Sequence, residues 1–300
     1  MYGKLVKFME PKVILITGCS SGIGYDTALA LQQRGHRVFA SCRKEEDVKK
    51  LRELGLETLQ MNMDDSHSVR LAFHEMLKKA DGRLDAIINN AGYGQAGALE
   101  DLPREALRAQ FETNVFGLMD LTRLAIPTMR KQGHGRIINI SSILGVISMP
   151  FRGAYNASKY AVEGLSDTLR LELKPSNIQV ITIEPGPIES RFRDNCIDHS
   201  MKRINQENSH FREQYQVLAG MYRSNKNQSL FTRKADAVVA KIIHAIESKH
   251  PKVKYRVTIP AHLFVFLKRI LPVNTLDKCL AFISKKEFTP NQRSGVEESR

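Results

Sequence analysis

The chain has 300 residues, of which 42% are hydrophobic and 26% charged, so a disordered or fibrous protein is excluded and one sizeable core is expected. The cysteines Cys19, Cys42, Cys196 and Cys279 lie far apart without a CxxC pair, which predicts reduced thiols and neither a metal site nor a disulfide scaffold. No apolar stretch reaches the roughly 20 residues of a membrane span, and the N-terminal residues lack the apolar run of a signal peptide, so we expect a cytoplasmic protein.

The net charge of +13 is concentrated in the last third of the chain. Residues 191–300 contain 21 Lys and Arg against 10 Asp and Glu, whereas residues 1–190 contain 24 against 22. A basic surface attracts phosphates, nucleic acids or anionic membranes, but it also serves solubility alone, and the charge leaves these alternatives open. No helix-turn-helix, zinc-finger or RNA-binding pattern accompanies it, so we expect no nucleic-acid partner.

Short apolar runs alternate with helical patterns through the first 190 residues. The predicted strands are 13–17, 37–41, 57–61, 84–89, 136–141 and 178–185. The predicted helices are 23–35, 45–54, 66–80, 104–132 and 153–174. This alternation predicts an α/β fold with a doubly wound parallel sheet, the three-layer αβα arrangement of the Rossmann fold.

The pattern changes after Pro185. Residues 191–232 are polar and carry no strand pattern, and a segment of this length is more often functional than idle. Helices are predicted over 201–223 and 234–249, and an edge strand over 254–259. The last residues, 289–300, are polar and predicted to be frayed.

A glycine-rich segment joins the first strand to the first helix. It reads Thr17-Gly18-Cys19-Ser20-Ser21-Gly22-Ile23-Gly24. Gly18 permits a sharp turn, and Gly22 and Gly24 allow a pyrophosphate and the strand to come close. Because the helix N-terminus also offers unpaired N–H groups, the segment predicts a dinucleotide site, with a ligand-free turn as the alternative.

The end of the second strand bears on the choice of dinucleotide. A carboxylate there would bind the ribose hydroxyls of NAD and repel a 2′-phosphate, but the sequence continues as Cys42-Arg43-Lys44. The guanidinium of Arg43 can bind a phosphate through two nitrogens, and the hydroxyl of Ser21 can add a contact. We therefore predict NADP(H); the alternative is that Arg43 and Lys44 are solvated residues that open the next helix.

Tyr155 and Lys159 are four residues apart in a predicted helix and therefore share a face. A nearby ammonium lowers the pKa of a phenol, which lets Tyr155 exchange a proton with a carbonyl or alcohol oxygen. Ser142 ends the preceding strand, where its hydroxyl can hydrogen-bond the same oxygen. Ser141 points to the opposite face of that strand.

These segments resemble the motifs of the short-chain dehydrogenases/reductases, in order and at matching spacing over residues 12–190. The further matches are Asn89-Asn90-Ala91-Gly92, Asn114 in FETNVFG, and Pro185-Gly186-Pro187-Ile188. The resemblance implies that Asn114, Ser142, Tyr155 and Lys159 are catalytic, and that Lys159 also holds the nicotinamide ribose. It implies a cofactor site formed by Thr17, Gly18, Ser20, Ser21, Gly22, Ile23, Gly24, Arg43, Asp64, Asn90, Ala91, Gly92, Tyr155, Lys159, Pro185, Gly186, Ile188 and Ser190.

The roles of two of these residues, Asp64 and Asn114, have alternative interpretations. Asp64 corresponds to a residue that contacts adenine in the family, but Asp64 or Asp65 is equally placed to cap the helix at 66. Asn114 corresponds to a residue of the proton relay, with a helix-bending polar residue as the alternative. Ser190 stands where the family usually has threonine, and serine keeps the hydroxyl.

The segments ITGCSSGIG, ASCR, RGAYNASKYAVEGLSDTLRLEL and EPGPI are similar to the hydroxysteroid and retinol dehydrogenases and their bacterial aldehyde and ketone reductase relatives. The resemblance implies an NADP(H)-dependent oxidoreductase that interconverts an apolar alcohol and its ketone or aldehyde, as a homodimer or homotetramer. An NADP(H)-binding sensor with little catalysis is the alternative. We expect one domain, 1–300, with a dinucleotide-binding and catalytic core (12–190), a substrate lid (191–232) and a helical C-terminal extension (233–288).

The last third contains two apolar patterns. The lid is predicted to have an apolar inner face formed by His210, Phe211, Tyr215, Leu218 and Met221, with ordinary helix packing as the alternative. Residues 261–271 are predicted to place one stripe on a helix, formed by Leu263, Phe264, Leu267, Ile270 and Leu271. Because Lys268 and Arg269 lie beside it, the stripe is a candidate for peripheral membrane contact; packing onto the body or a second subunit is the alternative.

Overall fold

The computed structural model describes residues 10–189, 200, 203–223 and 232–288. Seven strands form one sheet in the order β3-β2-β1-β4-β5-β6-β7, and all the pairings are parallel. The strands are β1 (Val13–Ile16), β2 (Arg37–Cys42), β3 (Glu57–Gln60), β4 (Ala86–Asn89), β5 (Gly135–Ile140), β6 (Ile178–Pro185) and β7 (Lys254–Val257). The predicted edge strand is therefore present as β7, and it extends the sheet beyond β6.

Helices connect the strands and follow the last one. They are α1 (Gly22–Gln33), α2 (Glu45–Glu53), α3 (Ser66–Lys79), α4 (Arg104–Phe111), α5 (Leu118–Gln132), α6 (Gly153–Glu172), α7 (Arg212–Arg223), α8 (Asp236–Glu247), α9 (Ile259–Ile270) and α10 (Val273–Phe288). The helix predicted over 201–223 begins at Arg212, because residues 203–211 form turns.

Side chains alternate between the two faces of the sheet along each strand, and apolar residues occupy both faces. Helices cover both of these faces. One face packs against α1, α2 and α8 through Ile14, Ile16, Leu31, Leu51 and Ile242. The other packs against α3, α5 and α6 through Val13, Leu15, Phe73, Leu121 and Leu169. The predicted three-layer, doubly wound fold with a helical C-terminal region is confirmed.

The helix predicted over 104–132 is not regular. A π-helical turn, Glu112–Gly117, separates α4 from α5. Gly117 packs against the backbone of Met63 so closely that a Cβ at this position would lie 2.1 Å from the Met63 carbonyl oxygen. The turn also holds the buried Asn114, which bonds to neighbouring segments as described below. Such single π turns are frequent at functional sites.

The C-terminal region packs on the carboxyl end of the sheet. Residues of α9 and α10 form an apolar cluster with Ile143 and Ile147, which follow β5. Residues of α7 form another cluster with Leu102, Ala106 and Ala154. Among the described residues, no helix combines the length and the hydropathy needed to cross a bilayer.

Three of the cysteines can be described. Cys19, Cys42 and Cys279 carry free thiols, and Cys196 lies outside the described residues. Burial raises the pKa of Cys42 to about 12, so this thiol stays protonated at neutral pH. Within the described part of the chain, no group of three or more His, Cys, Asp or Glu side chains is arranged to hold a metal ion.

Candidate active site

The glycine-rich segment after β1 is hydrogen-bonded to the segment after β4. The Thr17 Oγ1 atom accepts the backbone N–H groups of Asn90 and Ala91, at 3.0 and 2.9 Å. The Asn90 side chain donates to the carbonyl oxygens of Thr17 and Gly18, at 2.9 and 3.0 Å. These contacts lie between β1 and β4, where the strand order reverses, which is where open α/β sheets bind ligands.

The shape of this segment fits a dinucleotide. Gly18 has a φ of +70°, and a Cβ there would lie 2.7 Å from the Ala91 Cα atom, so only glycine is accommodated. Ser21 precedes α1 in an extended conformation, and its side chain makes no capping hydrogen bond. The first N–H groups of α1 therefore keep the capacity to bind a phosphate.

Two further positions lie at the rim of the site. The Arg43 side chain is exposed after β2 and makes no ion pair within the described part of the chain. Asp65 caps α3 by accepting the His67 N–H at 2.9 Å. Asp64 does not cap the helix; it accepts a hydrogen bond from the Thr113 hydroxyl. Of the two capping alternatives, the structure therefore selects Asp65.

Tyr155 and Lys159 lie on the inner side of α6, as their spacing predicts. The Lys159 ammonium lies 5.7 Å from the centre of the Tyr155 ring and donates to the Ile140 carbonyl oxygen at 2.7 Å. Burial lowers the pKa of Lys159 to about 8, and the nearby Glu163 carboxylate acts in the opposite direction. The Lys159 ammonium is thus held beside the phenol ring and has a pKa close to physiological pH.

Asn114 occupies the π-helical turn and connects three parts of the site. Its Oδ1 atom accepts the Tyr93 N–H at 3.1 Å, and its Nδ2 atom donates to the Tyr93 carbonyl at 3.0 Å and to Ser158 Oγ at 3.0 Å. A Cβ added to Gly92 would lie 3.0 Å from Asn114 Oδ1 and 3.9 Å from Lys159 Nζ. Asn114 thus lies in the π-helical turn, and its Oδ1 atom and Lys159 Nζ both approach Gly92, so the two interpretations of its role stay open.

Ser142 follows β5, two residues after the carbonyl that binds Lys159. It is buried, and its Oγ atom accepts the Leu144 N–H at 3.1 Å at the start of a short 3₁₀ turn. An oxygen that accepts this bond still has its own proton to donate. Ser141 is also buried, and a Cβ added to Gly145 would lie 2.9 Å from its Oγ atom.

The segment after β6 completes the carboxyl edge of the sheet. The Gly186 N–H donates to the Val257 carbonyl at 2.9 Å, and Ile188 forms an isolated bridge with Arg233. A Cβ at Gly186 would lie 2.1 Å from the Thr258 Oγ1 atom, so this turn packs directly on the end of β7. Ser190 lies outside the described residues.

The predicted lid face is described in part. Tyr215 is fully buried; its hydroxyl donates to Asp101 at 2.7 Å and accepts the Ala98 N–H at 2.9 Å. The rings of Phe211 and Tyr215 meet Phe151 edge-on, with centroids 5.2 and 5.9 Å apart. These contacts attach α7 to the segment that leads into α6.

The other predicted members of this face behave differently. Leu218 is buried in the same cluster as Tyr215. His210 is exposed in the turn before α7, where the helical spacing does not apply, so it does not share the buried side of Tyr215 and Leu218. The side chain of Met221 lies outside the described residues.

The prediction that five residues over 261–271 form one stripe was wrong, because they lie on two sides of α9. Phe264, Leu267 and Leu271 pack against the residues that follow β5, whereas Leu263 and Ile270 are exposed. Nine of the 12 residues of α9 are apolar and they occur on more than one side, so the periodicity of the sequence alone does not tell which side faces the body.

Glu163 is a site residue that the sequence analysis did not identify. It lies one turn after Lys159 on α6, is buried, and accepts a hydrogen bond from Lys254 Nζ at 2.7 Å. Its carboxylate favours the charged form of Lys159. The spacing of four residues was the available signal. The sequence, however, does not show whether a glutamate on a helix is buried or exposed.

We expect Glu163→Gln to shift the pH dependence of activity. Without this carboxylate the pKa of Lys159 falls below its value of about 8. Lys159 therefore loses its proton at a lower pH in the variant than in the wild type. The alkaline limb of a plot of kcat against pH should move to lower pH by on the order of one unit. Glu172→Gln, at the exposed end of α6, is the control; equal profiles for the two variants would contradict this role.

The chain matches the family model described as short chain dehydrogenase over residues 12–200. The chain belongs to the short-chain dehydrogenases. It is therefore an oxidoreductase of a family that binds NAD(P) and acts on CH–OH donors. The glycine-rich segment between β1 and β4, with its link to Asn90 and Ala91, is consistent with this membership.

Curated relatives cover nearly the whole chain. The chain is 42% identical over 269 residues to the uncharacterized oxidoreductase YbbO of Escherichia coli K12, covering 90% of this chain and 94% of YbbO. It is 36% identical to a 3-ketodihydrosphingosine reductase of Bacteroides thetaiotaomicron, covering 91% and 97%. It is 32% identical to 17-beta-hydroxysteroid dehydrogenase type 6 of Rattus norvegicus, covering 95% and 92%.

Proposed function

We propose that this short-chain dehydrogenase uses NADP(H) to interconvert an apolar alcohol and its ketone or aldehyde, with Tyr155 as the general acid and base. The observation that supports this proposal most strongly is the buried Lys159 ammonium beside the Tyr155 ring. A positive charge at this place favours the phenolate and lowers the pKa of the phenol toward the working range of an acid–base catalyst.

The remaining catalytic assignments follow from the same cluster of contacts. When bound, the nicotinamide supplies or accepts a hydride. Ser142 donates a hydrogen bond to the substrate oxygen, and Tyr155 gives a proton to it in reduction or takes one in oxidation. Asn114 donates a hydrogen bond to Ser158 of α6, and its Oδ1 atom and Lys159 Nζ both approach Gly92, which supports a role in supplying protons to Tyr155.

The proposed cofactor site runs along the carboxyl ends of the strands. The α1 N-terminus and the glycine segment hold the pyrophosphate, Asp64 the adenine, Lys159 the nicotinamide ribose, and the backbone near Ile188 the carboxamide. The remaining contacts are assigned to Thr17, Ser20, Asn90, Ala91, Gly92, Tyr155, Pro185, Gly186 and Ser190. Arg43 and Ser21 bind the 2′-phosphate; the exposed Arg43 guanidinium supports NADP(H) over NAD(H).

We expect Arg43→Glu to reverse the cofactor preference. The substitution removes a bidentate phosphate contact and adds a carboxylate that repels the 2′-phosphate. The ratio of kcat/KM for NADPH to that for NADH should fall by about 100-fold, since a hydrogen bond to a charged group contributes roughly 1.5–3 kcal/mol. Arg70→Glu, on the exposed side of α3, is the control, and an unchanged ratio in Arg43→Glu would refute Arg43 as the phosphate ligand.

We also propose an apolar substrate, a lid that covers it and an oligomeric assembly. The names of two relatives refer to a steroid and to a sphingoid ketone, which supports an apolar substrate. The aromatic contacts of Phe211 and Tyr215 with Phe151 support the proposal that residues 191–232 form a lid over the substrate. We propose reduction as the working direction, because cells keep NADPH largely reduced. We further propose that the chain forms one domain and acts in the cytoplasm as a homodimer or homotetramer.

A further inference from the structure

Helix α9 is apolar on two opposite sides. Its inner side carries Ala261 and Val265, which are buried against the residues that follow β5. Its outer side carries a second row at helical spacing, formed by Ile259, Leu263, Phe266 and Ile270. The exposed fractions of these four residues are 62%, 48%, 58% and 56%. A helix with apolar residues on two opposite sides normally has both sides covered, and here one of them faces outward.

Helix α10 carries a further exposed aromatic ring. Phe282 is 63% exposed on the side of α10 opposite its buried Leu276 and Leu280. We call the exposed apolar residues of α9 and α10, namely Ile259, Leu263, Phe266, Ile270 and Phe282, the outer apolar face. Scattered exposed apolar side chains are ordinary, but a row of four along one side of a helix marks an interaction surface.

Exposed cations lie on the same two helices as the outer apolar face. They are Arg269 on α9 and Lys278 and Lys285 on α10, whereas Asp277 is an exposed carboxylate of α10. Lys268 is directed to the body instead, where its ammonium donates to the Val146 carbonyl and to the Tyr160 hydroxyl. Lys278, Phe282 and Lys285 follow one another at spacings of four and three, so two lysines flank the exposed ring on α10. Long basic side chains beside an aromatic ring suit the boundary between headgroups and acyl chains.

The charge distribution also distinguishes between two occupants. In a symmetric dimer the same patch occurs on both subunits, so cations of one outer apolar face would meet cations of the other. An anionic lipid surface offers the opposite charge to the rim and an apolar interior to the centre of the face. With 12 residues, α9 is too short to span the roughly 30 Å apolar layer of a bilayer and instead suits a position lying along its surface.

We propose that the outer apolar face of α9 and α10 docks the enzyme onto anionic membrane surfaces, with Phe266, Ile270 and Phe282 entering the acyl boundary and Arg269 and Lys278 contacting the headgroups. This docking does not depend on the proposed catalytic function. It places α9 between the membrane and the residues that follow Ser142, because the inner side of α9 packs on them.

Vesicle binding of the full chain tests the docking. The probes are vesicles of phosphatidylcholine alone and vesicles of equal parts phosphatidylcholine and phosphatidylglycerol, with binding measured by co-sedimentation. We expect binding to the anionic vesicles that weakens in high salt, and little binding to the neutral ones. Phe266→Ser combined with Ile270→Ser should weaken this binding by at least about 10-fold, because two large apolar side chains no longer enter the lipid.

Matched variants separate the docking from general surface effects. Leu71→Ser combined with Leu171→Ser removes two exposed apolar side chains from α3 and α6 and should leave vesicle binding unchanged. Arg269→Glu combined with Lys278→Glu should abolish the preference for anionic vesicles. Circular dichroism and thermal melting confirm that each variant is folded.

Three results would overturn the proposal. The wild type does not bind anionic vesicles; or the α9 variant binds them as well as the α3 and α6 control does; or the α9 variant lowers the oligomeric mass in sedimentation velocity while vesicle binding is unchanged. The third result would assign the outer apolar face to a second copy of the chain.

Discussion

Tyr155→Phe should lower kcat by about 100-fold or more while cofactor binding is retained. The substitution removes the one atom that exchanges a proton with the substrate oxygen, and a positioned general acid or base contributes roughly 10²–10⁴ to the rate. The ring stays in place on α6, so the Lys159 ammonium keeps the contact with its aromatic face. The measurement is steady-state NADPH oxidation, together with cofactor affinity from fluorescence titration.

Tyr160→Phe is the matched control for this substitution. Tyr160 lies on the same helix, but it is exposed and its hydroxyl donates to the Val146 carbonyl and accepts from Lys268, away from Lys159. It should leave kcat within a few-fold of the wild type. If Tyr155→Phe and Tyr160→Phe behaved alike, Tyr155 would not be the acid–base group.

Lys159→Met should also lower kcat by about 100-fold or more, for a different reason. Methionine fills a similar volume but supplies no charge, so the pKa of Tyr155 returns toward the value of about 10 of a free phenol. Measured as alcohol oxidation, in which Tyr155 takes a proton, the variant should recover part of its activity as the pH rises, because the unassisted phenol then ionises. The wild type should instead lose activity above about pH 8, where the Lys159 ammonium is deprotonated.

The shape of the pH profile therefore decides the role of Lys159. In the wild type a lysine with a lowered pKa is charged below about pH 8 and neutral above it, so its contribution declines with rising pH. Lys49→Met, which removes an exposed lysine of α2, should keep the wild-type profile. A Lys159→Met profile parallel to that of the wild type would contradict electrostatic activation of Tyr155.

Local spacing predicts much of this site. Tyr155 and Lys159 share a face because they are four residues apart on a helix, and the structure has them within reach of each other. The glycine segment is equally local, since a strand, a tight turn and a helix follow one another without a gap. Six of the seven strands were predicted from apolar runs in the first 190 residues, because strands of a doubly wound sheet are buried on both sides.

Contacts between distant segments were not predictable in this way. The bonds from Thr17 to Asn90 and Ala91 exist because β1 pairs with β4, and no local pattern reports that pairing. The π-helical turn at Asn114 depends on the close approach of Gly117 to Met63. The direction of α9 depends on which side the body covers, and both sides are apolar in sequence.

The buried charges show the same limit. Glu163 and Lys254 pair at 2.7 Å only because β7 joins the sheet next to β6 and brings Lys254 to α6. From the sequence, Glu163 is one of many polar residues on an amphipathic helix. Its proximity to Lys159 was available from the spacing, but its burial was not.

The most direct measurement is turnover by the wild-type chain. NADPH oxidation is followed by absorbance against a panel of apolar aldehydes, retinaldehydes and ketosteroids, with NADH in parallel. We predict reduction of at least one apolar carbonyl, faster with NADPH than with NADH. Tight NADPH binding without turnover of any member of the panel would contradict the proposed enzyme and favour a dinucleotide-binding sensor.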